Sequence, residues 1–168
     1  MIILQTSKKL SKPIALSQEE KIKWMTRLLS KAKLIGDRGE VPIAAVILDK
    51  RGRCIGYGGN RRETMKDPLG HAELVALRQA SWINNDWRFN DCTLIVNLEP
   101  CPMCAGAIIN SRLKHLIFGA YDDKKGCCGS LYQLCGDKRL DSITSVKGGV
   151  LEDECSMILR EFFSSKRE

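Results

Sequence analysis

CTLIVNLEPCPMCAGAIINSRLKHLIFGA, residues 92–120, decides the fold. Its first seven residues are a short apolar run with β-branched members, which reads as a buried strand. Residues 102–112 turn small and apolar behind Pro102, and proline suits the first position of a helix. HLIFGA, residues 115–120, is a second buried strand. Strand, helix and strand in so few residues form a crossover unit, expected to be parallel and right-handed.

The same alternation extends outward. Upstream, SQEEKIKWMTRLLSKAKL (17–34) predicts a helix. Ser17 and Glu20 have the spacing of a capping box, and Ile22, Met25, Leu28 and Leu29 make an apolar stripe. IAAVILD (43–49) and CIGYGGN (54–60) read as a hairpin about Arg51-Gly52. HAELVALRQAS (71–81) follows Asp67-Pro68 and Gly70 and reads as a helix apolar on most faces, so covered on several sides. Downstream, SITSVKGGV (142–150) is a weaker strand and DECSMILREFFSSK (153–166) a last helix, with Cys155, Ile158, Leu159 and Phe162 on one side. The expected order is helix, strand, strand, helix, strand, helix, strand, strand, helix, a mixed sheet covered on both faces. No repeat, low-complexity tract or linker interrupts it, and 168 residues suit one domain, with its core at about 17–165.

Composition narrows the function classes. No run reaches the ~18 to 20 apolar residues that span a bilayer, and the apolar start is too short for a secretory signal. A cytosolic protein with reduced thiols is expected. The net charge of +7, from 27 basic and 20 acidic residues, suits a polyanionic partner. Cysteines stand at 54, 92, 101, 104, 127, 128, 135 and 155. In a chain of this length without an export signal, they read as metal ligands or buried thiols rather than a disulfide framework.

Cys101 and Cys104 admit three readings. They could be a redox pair, a structural metal clip, or half of a catalytic metal site. Three residues apart at a helix start, both can reach one ion, and the helix N-terminus favours thiolates. Two histidines are available to complete such a site. His115 begins a strand beside Lys114 and reads as a strand-edge residue. His71 opens a helix with Glu73 two positions on. A Cys, Cys, His set leaves a fourth tetrahedral position open, the catalytic rather than the structural pattern. Helical spacing alone does not explain how His71 and Glu73 meet one ligand, since residues two apart face differently. That needs a site off the helix end.

H-A-E (71–73) with P-C-P-M-C (100–104) matches the H-x-E and P-C-x-x-C signature of zinc nucleobase deaminases. The likeness then spreads over most of the chain. EVPIAAV (40–46), GGNRR (58–62), HAELVALRQA, LEPCPMCAGAIINSR, FGAYDDKKGCCGSL (118–131) and LEDECSMILREFF (151–163) resemble the bacterial tRNA-specific adenosine deaminases. The loop at 118–131 is the most discriminating, because free-base deaminases share the metal motifs but usually not this loop. The resemblance implies a three-layer α/β/α sandwich of the cytidine deaminase type, with a mixed sheet of about five strands. It implies a homodimer that deaminates adenosine to inosine at the wobble position of a tRNA anticodon, with tRNA-Arg the expected substrate. It implies zinc on His71, Cys101 and Cys104, with Glu73 as proton shuttle. Asn60 would hydrogen-bond the flipped adenine, Asp122 would contact the sugar-phosphate region, and Phe162 and Phe163 would lie near the anticodon loop.

Glu99 is the competing acid, otherwise a carboxylate that orients the loop. Lys8, Lys9, Lys12, Lys124, Lys125, Lys138, Arg139, Lys166 and Arg167 are candidates for phosphate contact. The sequence departs from the family at Arg62, where proline is frequent, at Ala44 for glycine, at Asn97 for threonine, and at Cys127-Cys128 for small residues. The first three could reshape the pocket. Two other readings stay open: a free-base deaminase acting on guanine or cytosine, and a non-catalytic zinc module that binds RNA.

Overall fold

A computed structural model describes residues 16–166. The candidates Lys8, Lys9, Lys12 and Arg167 lie outside them. Five strands make one sheet in the order β2-β1-β3-β4-β5. They are β1 (Ala44–Leu48), β2 (Cys54–Gly59), β3 (Thr93–Leu98), β4 (His115–Ala120) and β5 (Ser145–Lys147). β1 runs antiparallel to β2 and β3, while β3, β4 and β5 are parallel, so the sheet is mixed as expected. The crossover from β3 to β4 is the helix α4, Pro102–Asn110.

Alternation along β1 builds both faces. Ala45 and Ile47 join one core cluster with Ala72, Ala76, Ala80 and Ile108. Ala44, Val46 and Leu48 join the other with Met25, Leu28, Ala32, Cys155 and Leu159. Period-2 side chains on a sheet covered twice produce such near-continuous apolar strands. One face carries α1 (Gln18–Gly36) and α5 (Glu152–Ser165), and the other carries α3 (Ala72–Asn84) and α4. The result is the three-layer sandwich.

α1 starts as the sequence predicts. Glu20 N–H donates to Ser17 Oγ at 3.2 Å, and Ser17 N–H donates to Glu20 Oε2 at 2.7 Å. The stripe is shifted, however. Met25, Leu28 and Ala32 are buried, while Ile22 is 40% exposed. α3 also differs from expectation. It buries Ala72, Glu73, Ala76, Leu77 and Ala80 along one face and leaves Trp82 80% exposed. A short helix, α2 (Arg62–Met65), has no counterpart in the sequence reading.

Candidate active site

Two helix N-termini meet at the site. His71 is the N-cap of α3, with extended backbone at φ −76°, ψ 146°. It therefore stands outside the helix, and its ring is free of the helical direction that Glu73, in the first turn, follows. The off-helix geometry that spacing could not supply comes from this capping position. Cys101 is likewise the extended N-cap of α4, Pro102 starts the helix, and Cys104 lies in its first turn. The pair is a cap and a first-turn residue, as close in space as the two partners of a capping box.

These elements bring three donors together. His71 Nδ1 lies 3.6 Å from Cys101 Sγ and 3.6 Å from Cys104 Sγ. The three ligand atoms sit within 4.8 Å of one another, so the cluster could hold a metal ion. His115, half-buried at the start of β4, is not part of it. A hydrogen bond from Cys104, with His71 next, holds Cys101 down to about 4, while the same bond and burial push Cys104 up. The side-chain bond with Cys101 raises His71 against the opposing effect of burial.

Glu73 is 4% exposed beside this cluster. Burial pushes its carboxyl up to about 7, with the nearby Cys101 charge acting the same way and His71 opposing. α3 can carry it there because the helix lies directly on β2. A Cβ at Gly58 would stand 2.0 Å from the Ala72 carbonyl oxygen. Only a residue without a side chain permits that approach.

Glu99, the competing acid, is fully used in holding a loop. Its Oε1 accepts from Cys128 N at 2.9 Å and Ser130 N at 2.9 Å. Its Oε2 accepts from Asp122 N at 3.0 Å and from the Ser130 hydroxyl. Burial raises its pKa, but these bonds, led by that from Asp122, outweigh burial and leave it lowered. Cys127 N also donates to the Pro100 carbonyl at 2.9 Å. The loop carrying Asp122, Lys124 and Lys125 is thereby tied one residue from Cys101. Asp122 Oδ1 receives the N–H groups of Lys124 and Lys125 at 2.9 and 3.1 Å, which makes it the hub of its own turn. Cys127 and Cys128 are buried beneath the loop, the latter with its sulfur 3.4 Å from that of Cys135.

Asn60 follows β2 and is 8% exposed. Its Nδ2 donates to Glu40 Oε2 at 3.0 Å, and Glu40 Oε1 accepts from Thr64 N and Oγ1 at 2.7 and 2.8 Å. Burial pushes the Glu40 carboxyl up, yet the Thr64 bonds outweigh burial and keep it below its ordinary pKa. An ionised carboxylate only accepts, so the Asn60 amide must turn its NH2 towards Glu40 and its Oδ1 away. Sequence reading missed Glu40, which stood in the quoted EVPIAAV with no acid-base spacing to mark it. It also missed the work of Asn97. Its Oδ1 accepts from Ala44 N at 2.8 Å and its Nδ2 donates to the Pro42 carbonyl at 2.9 Å, pinning the segment next to Glu40.

Phe162 and Phe163 are not brought to the cluster. They sit on α5, on the far face of the sheet, edge to face at 5.5 Å. Phe162 helps line a groove of about 530 Å³ between α1 and α5, and Phe163 is 48% exposed.

Residues 19–167 match the family model of the MafB19-like deaminases. A tRNA-specific adenosine deaminase of Haemophilus influenzae is 41% identical over 150 residues, 89% of this chain and 85% of that one. A solved structure from work on A-to-I editing by tRNA:A34 deaminases at the wobble position of transfer RNA is 36% identical. It superposes with a TM-score of 0.76 over 82% of this chain and 99% of that one. A guanine deaminase structure from Bacillus subtilis is 34% identical with a TM-score of 0.58, over 63% of this chain and 66% of that one. With a deaminase model matched from end to end of the sandwich and such relatives across nearly its whole length, this chain belongs to the family of the tRNA-specific adenosine deaminases.

Proposed function

We propose that this chain is a zinc-dependent hydrolase that converts adenosine to inosine at the wobble position of a tRNA anticodon, as a single-domain subunit of a cytoplasmic homodimer. The observation that carries the reading is the His71–Cys101–Cys104 cluster with a buried glutamate beside it. Zinc fits these donors. With Zn–S near 2.3 Å and Zn–N near 2.0–2.1 Å at tetrahedral angles, sulfur and nitrogen stand about 3.6 Å apart, the separation found for both thiols. Three protein ligands match a catalytic zinc, and a structural clip would need a fourth. Zinc held there supplies Lewis acidity that brings the pKa of water towards roughly 7.

The chain's own groups then account for the proton traffic. Glu73 takes one proton from the attacking water and delivers it to a ring nitrogen of adenine. It then takes the remaining proton of the added hydroxyl and passes it to the amine, so that the C=O forms as the C–N bond breaks. Adenosine and water leave as inosine and ammonia. Asn60, its NH2 committed to Glu40, offers Oδ1 to an N–H of the base. Asp122, with Lys124 and Lys125 on the same tethered loop, would meet the sugar and phosphates beside the site. Phe162 and Phe163 would be reached only by a more distant part of the anticodon arm. An anticodon loop is single-stranded, so its target base enters a pocket without duplex melting.

The test is incubation of zinc-loaded protein with a tRNA-Arg transcript bearing adenosine at the wobble position. Inosine there and nowhere else is the expected product. The likeness to a guanine deaminase favours a second reading, action on free bases. Ammonia released from free guanine or cytosine, with the tRNA untouched, would select it. Sedimentation of the free protein at twice the subunit mass tests the dimer.

A further inference from the structure

Among the described residues, one buried side-chain nitrogen or oxygen has no hydrogen-bond partner: Nε of Arg61. A charged donor left so costs more than a neutral one, and such an atom in a folded protein calls for a ligand or a function. Arg61 is also without an ion pair among the described residues, and Arg62 has only Glu63, at 3.9 Å on the exposed surface. The nearest acid along the network, Glu40, already serves Asn60 and Thr64.

The pair packs against Gly70, the residue before His71. Arg61 N–H donates to the Gly70 carbonyl at 2.9 Å, and a Cβ on Gly70 would stand 3.2 Å from both Cα and N of Arg62. Gly70 immediately precedes His71, so the backbone of the pair is packed one residue from the cluster. Two adjacent arginines thus have their backbone in the segment between Asn60 and His71, and among the described residues neither is paired with a buried carboxylate. A guanidinium presents planar paired donors that suit phosphate oxygens.

We propose that Arg61 and Arg62 form a phosphate-binding subsite for the nucleotide whose base lies at the His71 cluster, and so distinguish nucleotides from free bases. The inference rests on the deaminase reading above and adds the recognition of the backbone. Its phosphate could belong to an RNA strand or to a mononucleotide.

Affinity for an anticodon stem-loop RNA, measured across salt concentrations, tests the subsite. Arg61→Gln should weaken binding about ten- to a hundredfold and flatten the slope of log affinity against log salt by about 0.7. Arg61→Lys should restore the slope, which a purely structural role would not require. Arg62→Gln, at an exposed position, repeats the test without burdening the fold. Replacing one phosphodiester beside the target by a methylphosphonate should cost the wild type a similar factor and cost Arg61→Gln little more. An unchanged salt slope in both glutamine variants, at unchanged melting temperature and metal content, overturns the subsite. Comparing adenosine with adenosine 5′-monophosphate separates the sources. An Arg61-dependent gain for the monophosphate, with no RNA binding, keeps the subsite and sinks the tRNA reading. No gain from phosphate in either ligand sinks the subsite, while wobble inosine made by the wild type would leave the tRNA reading intact.

Discussion

Three buried glutamates surround the site, and their bonding separates their roles. Glu99 has every strong acceptor position filled by loop N–H and O–H donors. Glu40 is filled by Asn60 and Thr64. Glu73 alone is buried against the metal cluster with its carboxyl raised. Glu73→Gln should therefore retain metal and melting temperature while turnover falls about 10²- to 10⁴-fold, the worth of general acid–base catalysis. Metal analysis and single-turnover deamination on the same sample check it, and full activity would remove the mechanism. Glu99→Gln should do the reverse. Its amide NH2 would face backbone N–H donors, costing about 1–3 kcal/mol of stability. The sign of its pH dependence follows from its lowered pKa. The stabilisation is complete above an ordinary glutamate pKa of about 4.3 and fades as pH falls through the lower folded-state value. Acid melts of wild type and Glu99→Gln should converge in that window.

At the scale of elements, the site depends on where α3 and α4 begin. α4 is fixed by its own crossover: β3 and β4 pair in parallel on either side of it, so Cys101 and Cys104 emerge at the C-terminal end of β3. This part was legible in the sequence, because two apolar runs about a proline-led helix admit little else. α3 was legible as a helix, and Ser17 with Glu20 announced the start of α1. What the sequence did not disclose was contact between distant segments. Glu40 and Asn60 are twenty residues apart, and Asn97 grips Pro42 and Ala44 more than fifty residues away. No local period encodes such bonds. α2 escaped for another reason: four residues carry too little pattern, and its position is set by Thr64 docking on Glu40. The seat of α3 on β2 makes a prediction at this scale. Gly58→Ala places a methyl against the Ala72 carbonyl, so α3 must shift and carry His71 with it. The variant should bind metal more weakly and melt lower, by overpacking of about 1–3 kcal/mol. Metal affinity equal to wild type would show that His71 is placed independently of the helix.

For the whole molecule, the metal would join what the sheet holds apart in sequence. His71 stands thirty residues before Cys101, on a different helix, and the two helices share the face on which the first core cluster packs. That cluster, and the second one beneath α1 and α5, are apolar and complete without any ion, so removal of metal should lower stability rather than abolish folding. The size of the effect follows from linkage. A ligand bound only by the folded state, at a thousand times its dissociation constant, contributes about 4 kcal/mol. For a domain of this size, each kcal/mol moves the melting temperature by roughly 2–4 °C, so chelation should lower it by about 10 °C. Calorimetry with and without a chelator measures this, and replacing either Cys101 or Cys104 by serine should bring the untreated protein close to the chelated value. A melting temperature indifferent to chelation in wild type, together with no metal in the purified protein, would mean that the three donors converge without holding an ion, and the hydrolytic reading would lose its footing at the same stroke.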